Sequence, residues 1–225
     1  MTPQELASKI DHTLLKPEAT PAMIDRLCDE ALEHGFVAVC VNPIWVERCR
    51  ERLLGSPVLI ATVVGFPLGA NVTAIKAEET RRAIDHGATE IDMVIRVGDL
   101  IAGNTGLVRD DIAAVAHVVH TASPQHTLKV ILETAALTKE QIIAGCRCAA
   151  EAEADFVKTS TGFHPAGGAT VEAVRLLHKH SAPVKVKAAG GIRDLKTAKA
   201  MLEAGASRLG CSASVKLLEE LAGSE

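Results

Sequence analysis

The sequence predicts an α/β protein in which eight parallel strands close into a TIM (β/α)8 barrel, entered through a short N-terminal helix. Three observations predict it. Short apolar runs alternate with longer amphipathic stretches along the 225-residue chain, the pattern of βα units on a parallel sheet. These units number eight, enough to close a barrel in a chain near the short end of the barrel range. The turn after the first strand, Leu15-Lys16-Pro17-Glu18, carries no glycine, whereas an open doubly wound sheet usually has a Gly-rich first turn. That open sheet is the competing architecture.

The elements follow in order. Thr2-Pro3-Gln4-Glu5-Leu6 reads as a helix start, and Ile10–Leu15 as the first strand. Thr20 caps a helix opening at Pro21, which stops at His34-Gly35 with Gly35 as the residue beyond its end. Strands are expected at Phe36–Val41 and Val58–Val64, then a helix opening at Val72-Thr73 and ending before Gly87. Glu90–Val97 and Leu128–Glu133 are the next strands; Thr138-Lys139-Glu140-Gln141 is a capping box opening the helix after them. Asp155–Thr159 and Val184–Ala188 follow, then a helix from Asp194-Leu195 to Ala204-Gly205, and the last strand, Arg208–Cys211. No linker or low-complexity tract interrupts the series, so one domain over 1–225 is expected.

Composition narrows the class. The chain is 48% hydrophobic but only 2% aromatic, with no tyrosine, so the core must be Ala, Val, Ile and Leu, which suits strands covered on both faces. A net charge of −4 without a basic run argues against nucleic acid as a partner. The six cysteines form no CxxC pair and read as free thiols in a reducing cytoplasm. No secretory leader is expected at the N-terminus, and no apolar stretch reaches the roughly 20 residues of a membrane span. His34, His86, His164 and His178 offer no three-ligand spacing, so no metal is expected.

Strand parity places the polar side chains. Successive strand residues face opposite sides, and in a barrel the outer side meets helices. Val184 and Val186 therefore point outward and Lys187 inward; Val157 outward puts Lys158 and Ser160 inward. Ile91, Met93 and Ile95 take the helix side and leave Asp92 inside, with Asp11 and Thr13 sharing the inward parity of their strand. Lys158 and Lys187 stand late in their strands, where barrels build active sites. Lysine is rarely buried because its ammonium loses hydration, so two inward lysines point to use of the amine. The bland alternative is that Lys158 and Lys187 only pair with Asp92 and Glu133, weak bridges once desolvation is counted, or that Asp92 braces a loop.

An amine in such a cavity suggests a reaction. Free lysine is almost wholly protonated at neutral pH; burial and a second cation lower its pKa and free the nucleophile. Lys187 could supply that cation for Lys158. A neutral Lys158 would attack a carbonyl to form an imine, whose protonated nitrogen draws electrons from the adjacent carbon–carbon bond while Asp92 moves protons. Ala189-Gly190-Gly191-Ile192 and Leu209-Gly210-Cys211-Ser212-Ala213-Ser214 follow strands seven and eight, the usual phosphate site of these barrels.

Val157-Lys158-Thr159-Ser160-Thr161-Gly162 and Val186-Lys187-Ala188-Ala189-Gly190-Gly191-Ile192-Arg193 closely resemble the deoxyribose-phosphate aldolases. Asp11-His12-Thr13-Leu14-Leu15-Lys16-Pro17, Val39-Cys40-Val41-Asn42-Pro43 and Glu90-Ile91-Asp92-Met93-Val94 fit the same pattern, so the resemblance spans the chain. It implies a cytoplasmic, homo-oligomeric class I aldolase (dimer or tetramer) of deoxynucleoside catabolism, reversibly cleaving 2-deoxy-D-ribose 5-phosphate to acetaldehyde and D-glyceraldehyde 3-phosphate without a metal or other cofactor. By that likeness Lys158 forms the Schiff base, Asp92 shuttles protons, and Lys187 tunes Lys158. Asp11, Thr13, Cys40 and Thr161 would line the substrate pocket, and Gly162, Gly190, Gly191, Gly210 and Ser212 would hold phosphate. Three departures stand out: Phe163 replaces a lysine found after this motif in some members, Ala213 replaces a frequent serine, and the tyrosine with which some members end is missing. Without it, protons must move through water or the Asp92–Lys187 pair. The rivals are a Schiff-base aldolase or transaldolase for another sugar phosphate, and a phosphate-binding barrel without catalysis.

Overall fold

The computed structural model describes residues 1–223; Ser224 and Glu225, the last two of the expected domain, lie outside the described residues. Eight strands, β1 (Ile10–Leu14), β2 (Ala38–Val41), β3 (Leu59–Val64), β4 (Glu90–Val94), β5 (Thr127–Ile131), β6 (Phe156–Lys158), β7 (Lys185–Ala189) and β8 (Arg208–Cys211), pair in chain order. β8 returns to β1 in parallel, Asp11 opposite Gly210, which closes the barrel and removes the open-sheet alternative.

The helices start where their caps direct them. In α1 (Pro3–Ala7) Thr2 and Glu5 form a capping box, and the helix buries Leu6 and Ala7. Thr20 accepts from Met23 N at the head of α2 (Pro21–His34), and Gly35, at φ 69°, ends it. α3 (Val46–Arg52) and α4 (Thr73–His86) follow, then α5 (Val97–Ile101) and α6 (Thr105–Ala122). Thr138 and Gln141 complete the expected capping box of α7 (Lys139–Glu151). After α8 (Val171–His180), Asp194 accepts from Thr197 N to start α9 (Leu195–Glu203), and α10 (Ser214–Ala222) closes the series.

Two strands stop two or more residues earlier than expected. β4 ends at Val94 because Arg96 turns the chain into α5, where its guanidinium bonds Asp99 at 2.5 Å. β5 ends at Ile131 because Glu133 adopts φ 61°, which turns the chain into a short 3-10 segment, Thr134–Ala136.

The outer strand faces and the helices bury one continuous aliphatic core that includes Ile91, Met93, Ile95, Val157 and Val186. The barrel interior is divided. Toward β2 and β3 it is apolar, with Leu15, Cys40, Ala61 and Val63 in contact. Toward the other strands it is ionic: Asp11, Glu90, Asp92, Lys129, Lys158 and Lys187 are all buried.

Candidate active site

Register sets the ionic cluster. Lys158 stands opposite Lys187 across β6 and β7, and Asp92 opposite Lys129 across β4 and β5. Beyond β6 the Thr159 hydroxyl donates to Ala189 O and accepts from Ala189 N, both at 3.0 Å, which locks the two lysine-bearing strands together. Gly210 makes room beside them, since a Cβ there would lie 3.2 Å from Lys187 Cε.

Asp92 is the hub. Its Oδ2 accepts from Lys158 Nζ and from Lys187 Nζ, each at 2.7 Å, and its Oδ1 accepts from Lys129 Nζ at 2.8 Å. Lys187 also bonds Asp11 Oδ2. The floor is formed by Glu90 and Arg208, the first residues of their strands: Lys129 Nζ lies 2.6 Å from Glu90 Oε2, while Arg208 bonds Asp11 Oδ1 at 2.6 Å and Glu90 at 3.2 Å. The Arg208 guanidinium rests over the Phe156 ring, 5.7 Å from its centroid. Lys185, inward by parity but at the far end of β7, is exposed.

The fields in this pit sort the amines. Burial is the largest influence on Lys158 and, with Lys187 nearby, outweighs Asp92 to lower its pKa below the ordinary lysine value. Burial also works against the charge on Lys187, but Asp11 and Asp92 outweigh it and raise that pKa. Lys129 is raised likewise, Asp92 and Glu90 overcoming its burial. Burial opposes ionisation of Asp92, yet the three lysines hold its carboxyl well below the usual range. Two amines are thus held as ammonium, and Lys158 is the one released toward the neutral nucleophile.

Above Lys158 opens a cavity of about 350 Å³. Thr13, Lys158 and Thr161 line it, and on the glycine side so do Gly162, Gly190, Gly191 and Gly210 with Ser212. Gly190 is required there: its φ is 91°, and a Cβ would lie 3.1 Å from Gly168 Cα. Thr161 is held by Glu133, which accepts from its N–H at 3.2 Å and its hydroxyl at 2.5 Å, so Glu133 bonds this loop and not a lysine. Asp11, Asp92 and Lys187 lie fully buried below the cavity. Cys40 is buried on the apolar side, where burial, with Asp92 adding to it, pushes its thiol up to about 11.

Sequence reasoning missed Lys129, Glu90 and Arg208 as members of the cluster. Their signal was available, because Lys129, like Asp92, has inward parity in its strand. It also missed Lys16 and Arg193, two cations in the cavity wall. Phe163 lines the same wall and meets Phe66 edge-on, ring centroids 5.2 Å apart. Among the described residues no group of His, Cys, Asp and Glu is arranged to hold a metal, and no helix is long and apolar enough to cross a membrane.

A closed barrel with a lowered-pKa lysine at the C-terminal mouth and a glycine-walled cavity above it defines a class, the imine-forming barrel aldolases. Comparison with known proteins narrows it. The family model described as DeoC/LacD family aldolase matches residues 6–216, and the chain belongs to that family. It is 56% identical to the deoxyribose-phosphate aldolase of Brevibacillus brevis over 93% of both chains. It is 51% identical to that of Geobacillus sp. (strain WCH70) over 95% of both. Among solved structures, a tetrameric deoxyribose phosphate aldolase from Aeropyrum pernix superposes with a TM-score of 0.92 at 30% identity, covering 100% of this chain and 94% of that one.

Proposed function

We propose that this chain, as one catalytic unit, reversibly cleaves 2-deoxy-D-ribose 5-phosphate to acetaldehyde and D-glyceraldehyde 3-phosphate. The observation that carries the reading is the shared Asp92 oxygen: Lys158 and Lys187 both bond it at 2.7 Å, which leaves one buried amine in excess beneath the cavity. Neutral Lys158 attacks the aldehyde carbon, and loss of water yields a protonated imine. The electron pair of the carbon–carbon bond between the carbons alpha and beta to the iminium moves toward it as the hydroxyl on the departing fragment gives up its proton. The departing fragment leaves as an aldehyde and an enamine remains on Lys158. Proton return to the enamine carbon and hydrolysis of the imine release acetaldehyde.

Asp92, with Lys187 as its charged partner, is placed to pass these protons through water in the cavity. No tyrosine is needed for that route. The glycine turns after β6, β7 and β8 and the N-terminus of α10 supply backbone N–H groups for the phosphate, and Lys16 and Arg193 add charge. Self-association is part of the proposal, supported by the tetrameric Aeropyrum pernix relative. The six buried free thiols fit a reducing compartment such as the cytoplasm.

Borohydride tests the reading. Protein incubated with 2-deoxyribose 5-phosphate and reduced is expected to carry the adduct mass on Lys158. No adduct there defeats the aldolase reading, and trapping only with other sugar phosphates transfers it to a different aldolase or a transaldolase.

A further inference from the structure

The pit holds three carboxylates, Asp11, Glu90 and Asp92, against four cations, Lys129, Lys158, Lys187 and Arg208. Among the described residues no other charge enters it. Cys40 on β2 and Cys211 on β8 are buried thiols, pushed up to about 11 and about 12 with burial as the leading cause, and are uncharged. β3 contributes only Leu, Ile, Ala, Thr and Val. On β1, His12 faces away to Glu30 and Ser214; beyond β5, Glu133 is occupied by Thr161. Asp155, ahead of β6, bonds Leu128 N and His120, Lys185 is exposed on β7, and Lys16 and Arg193 stand in the cavity wall.

With every group ionised the cluster carries one positive charge too many, in surroundings that solvate an unpaired charge poorly. Arginine does not surrender a proton. Lys129 has separate oxygens on Asp92 and Glu90, and Lys187 has Asp11 as well as Asp92. Lys158 has one oxygen, shared with Lys187. The excess is relieved there.

We propose that Arg208 and Glu90, which touch neither the cavity nor the reacting atoms, are positioning residues that set the charge balance of the pit and thereby the protonation state of Lys158. Arg208 acts through a bonded relay, Arg208 to Asp11 to Lys187 to Asp92 to Lys158. Glu90 acts through Lys129, which reaches Asp92. The inference deepens the aldolase reading and rests on it for its meaning, but Lys158 protonation can be read without substrate.

The test is opposite displacement. Arg208→Gln balances the pit with Lys158 charged, so the pH midpoint of Lys158 reactivity rises by about one unit. Glu90→Gln doubles the excess, so the midpoint falls by a similar amount. The double variant restores the excess of one and returns the midpoint toward that of the unaltered protein, and Arg208→Lys keeps it there. The midpoint is measured twice for each variant: from the rate of Lys158 acylation by acetic anhydride, and from the rate of imine trapping with 2-deoxyribose 5-phosphate. Arg208 and Glu90 acting only as braces would lower stability without displacing the midpoints in opposite directions. Shifts of the same sign, or none, overturn the inference. If Arg208→Gln does not fold, Glu90→Gln against Arg208→Lys decides: a midpoint for Glu90→Gln that is not the lower of the two overturns it. Unaltered protein that acylates Lys158 but traps no sugar defeats the aldolase reading instead.

Discussion

Lys158 and Lys187 compete for one atom, each donating to Oδ2 of Asp92 at 2.7 Å from neighbouring strands. A carboxylate oxygen shared between two buried amines holds both tightly only if both remain charged, and the pit has too few carboxylates for that. Lys187 keeps Asp11 as a second partner; Lys158 has none. The same contact therefore makes one lysine a permanent cation and the other a nucleophile.

Replacement of Lys158 by Leu is expected to reduce turnover by at least about a thousandfold, because no other residue can form the covalent bond. Asp92 retains Lys129 and Lys187 in that variant, so no buried charge is stranded. Thermal unfolding should stay level, since Lys158 sits in the pit as its neutral amine and its loss leaves three carboxylates against three cations. A variant with full activity overturns the mechanism, and one that unfolds overturns the charge argument.

Asp92→Asn separates binding from proton transfer. Lys158 loses its only carboxylate partner, and its pKa should fall further, so borohydride still traps an adduct. Turnover should drop by about a hundredfold or more, the usual scale for a lost general acid–base group. Three lysines lose their common acceptor, which is expected to cost about 3–5 kcal/mol of stability. Trapping assays and urea melts on the same preparation check both statements.

Lys16 and Arg193 line the cavity beside the glycine turns, in a wall they share with Phe163. If they meet the phosphate, Lys16→Ala combined with Arg193→Ala should lower the preference for 2-deoxyribose 5-phosphate over unphosphorylated 2-deoxyribose by about tenfold or more, the worth of one charge-assisted bond. Equal losses on both sugars would instead show a general distortion of the cavity.

The barrel was legible because each βα unit carries its own signals: the caps at Thr20, Thr138 and Asp194 and the glycine stop at Gly35 act locally. Inward parity singled out Asp11, Asp92, Lys158 and Lys187 for the same reason, since a period of two survives any error in strand ends. Strand ends did not survive as well. β4 stops where Arg96 finds Asp99, a contact made only after the chain turns. Lys129 was passed over because it lies in mid-strand without a motif, and Glu90 and Arg208 because they sit at the end of their strands remote from the expected chemistry. Their importance comes from neighbours supplied by other strands, which no window along the chain contains.

Acid should weaken the fold through the same carboxylates. Burial opposes ionisation of Asp11, but Lys187, Lys129 and Arg208 lower its pKa from 3.8 to about 2. A folded-state pKa below the unfolded one stabilises the protein above the unfolded value, because below it the unfolded chain takes up protons that the folded chain refuses. The contribution of Asp11 is thus complete above about pH 4 and lost between there and about pH 2, on the order of 2 kcal/mol. Urea midpoints measured down through this range should fall, and should fall less steeply in Asp11→Asn.

Outside the site, a second buried pair tests how ions are tolerated in this fold. Lys76 on α4 bonds Asp111 on α6 at 2.6 Å and the carbonyl of Val94 at 2.9 Å, and both ionic side chains are fully buried. Thr73 bonds the other Asp111 oxygen at 2.7 Å. The group holds the first turn of α4 and the end of β4, the strand bearing Asp92, to one carboxylate. Lys76→Met strands Asp111 and is expected to cost about 3–5 kcal/mol; Lys76→Met with Asp111→Leu should recover most of that, because desolvation nearly cancels the attraction of such a pair. Recovery of stability together with kcat would make the pair a mere fastener. Recovery of stability with kcat still depressed would mean that the placement of β4 by Lys76 matters to Asp92, and that outcome is expected, since Val94 stands two residues beyond Asp92 on the same strand.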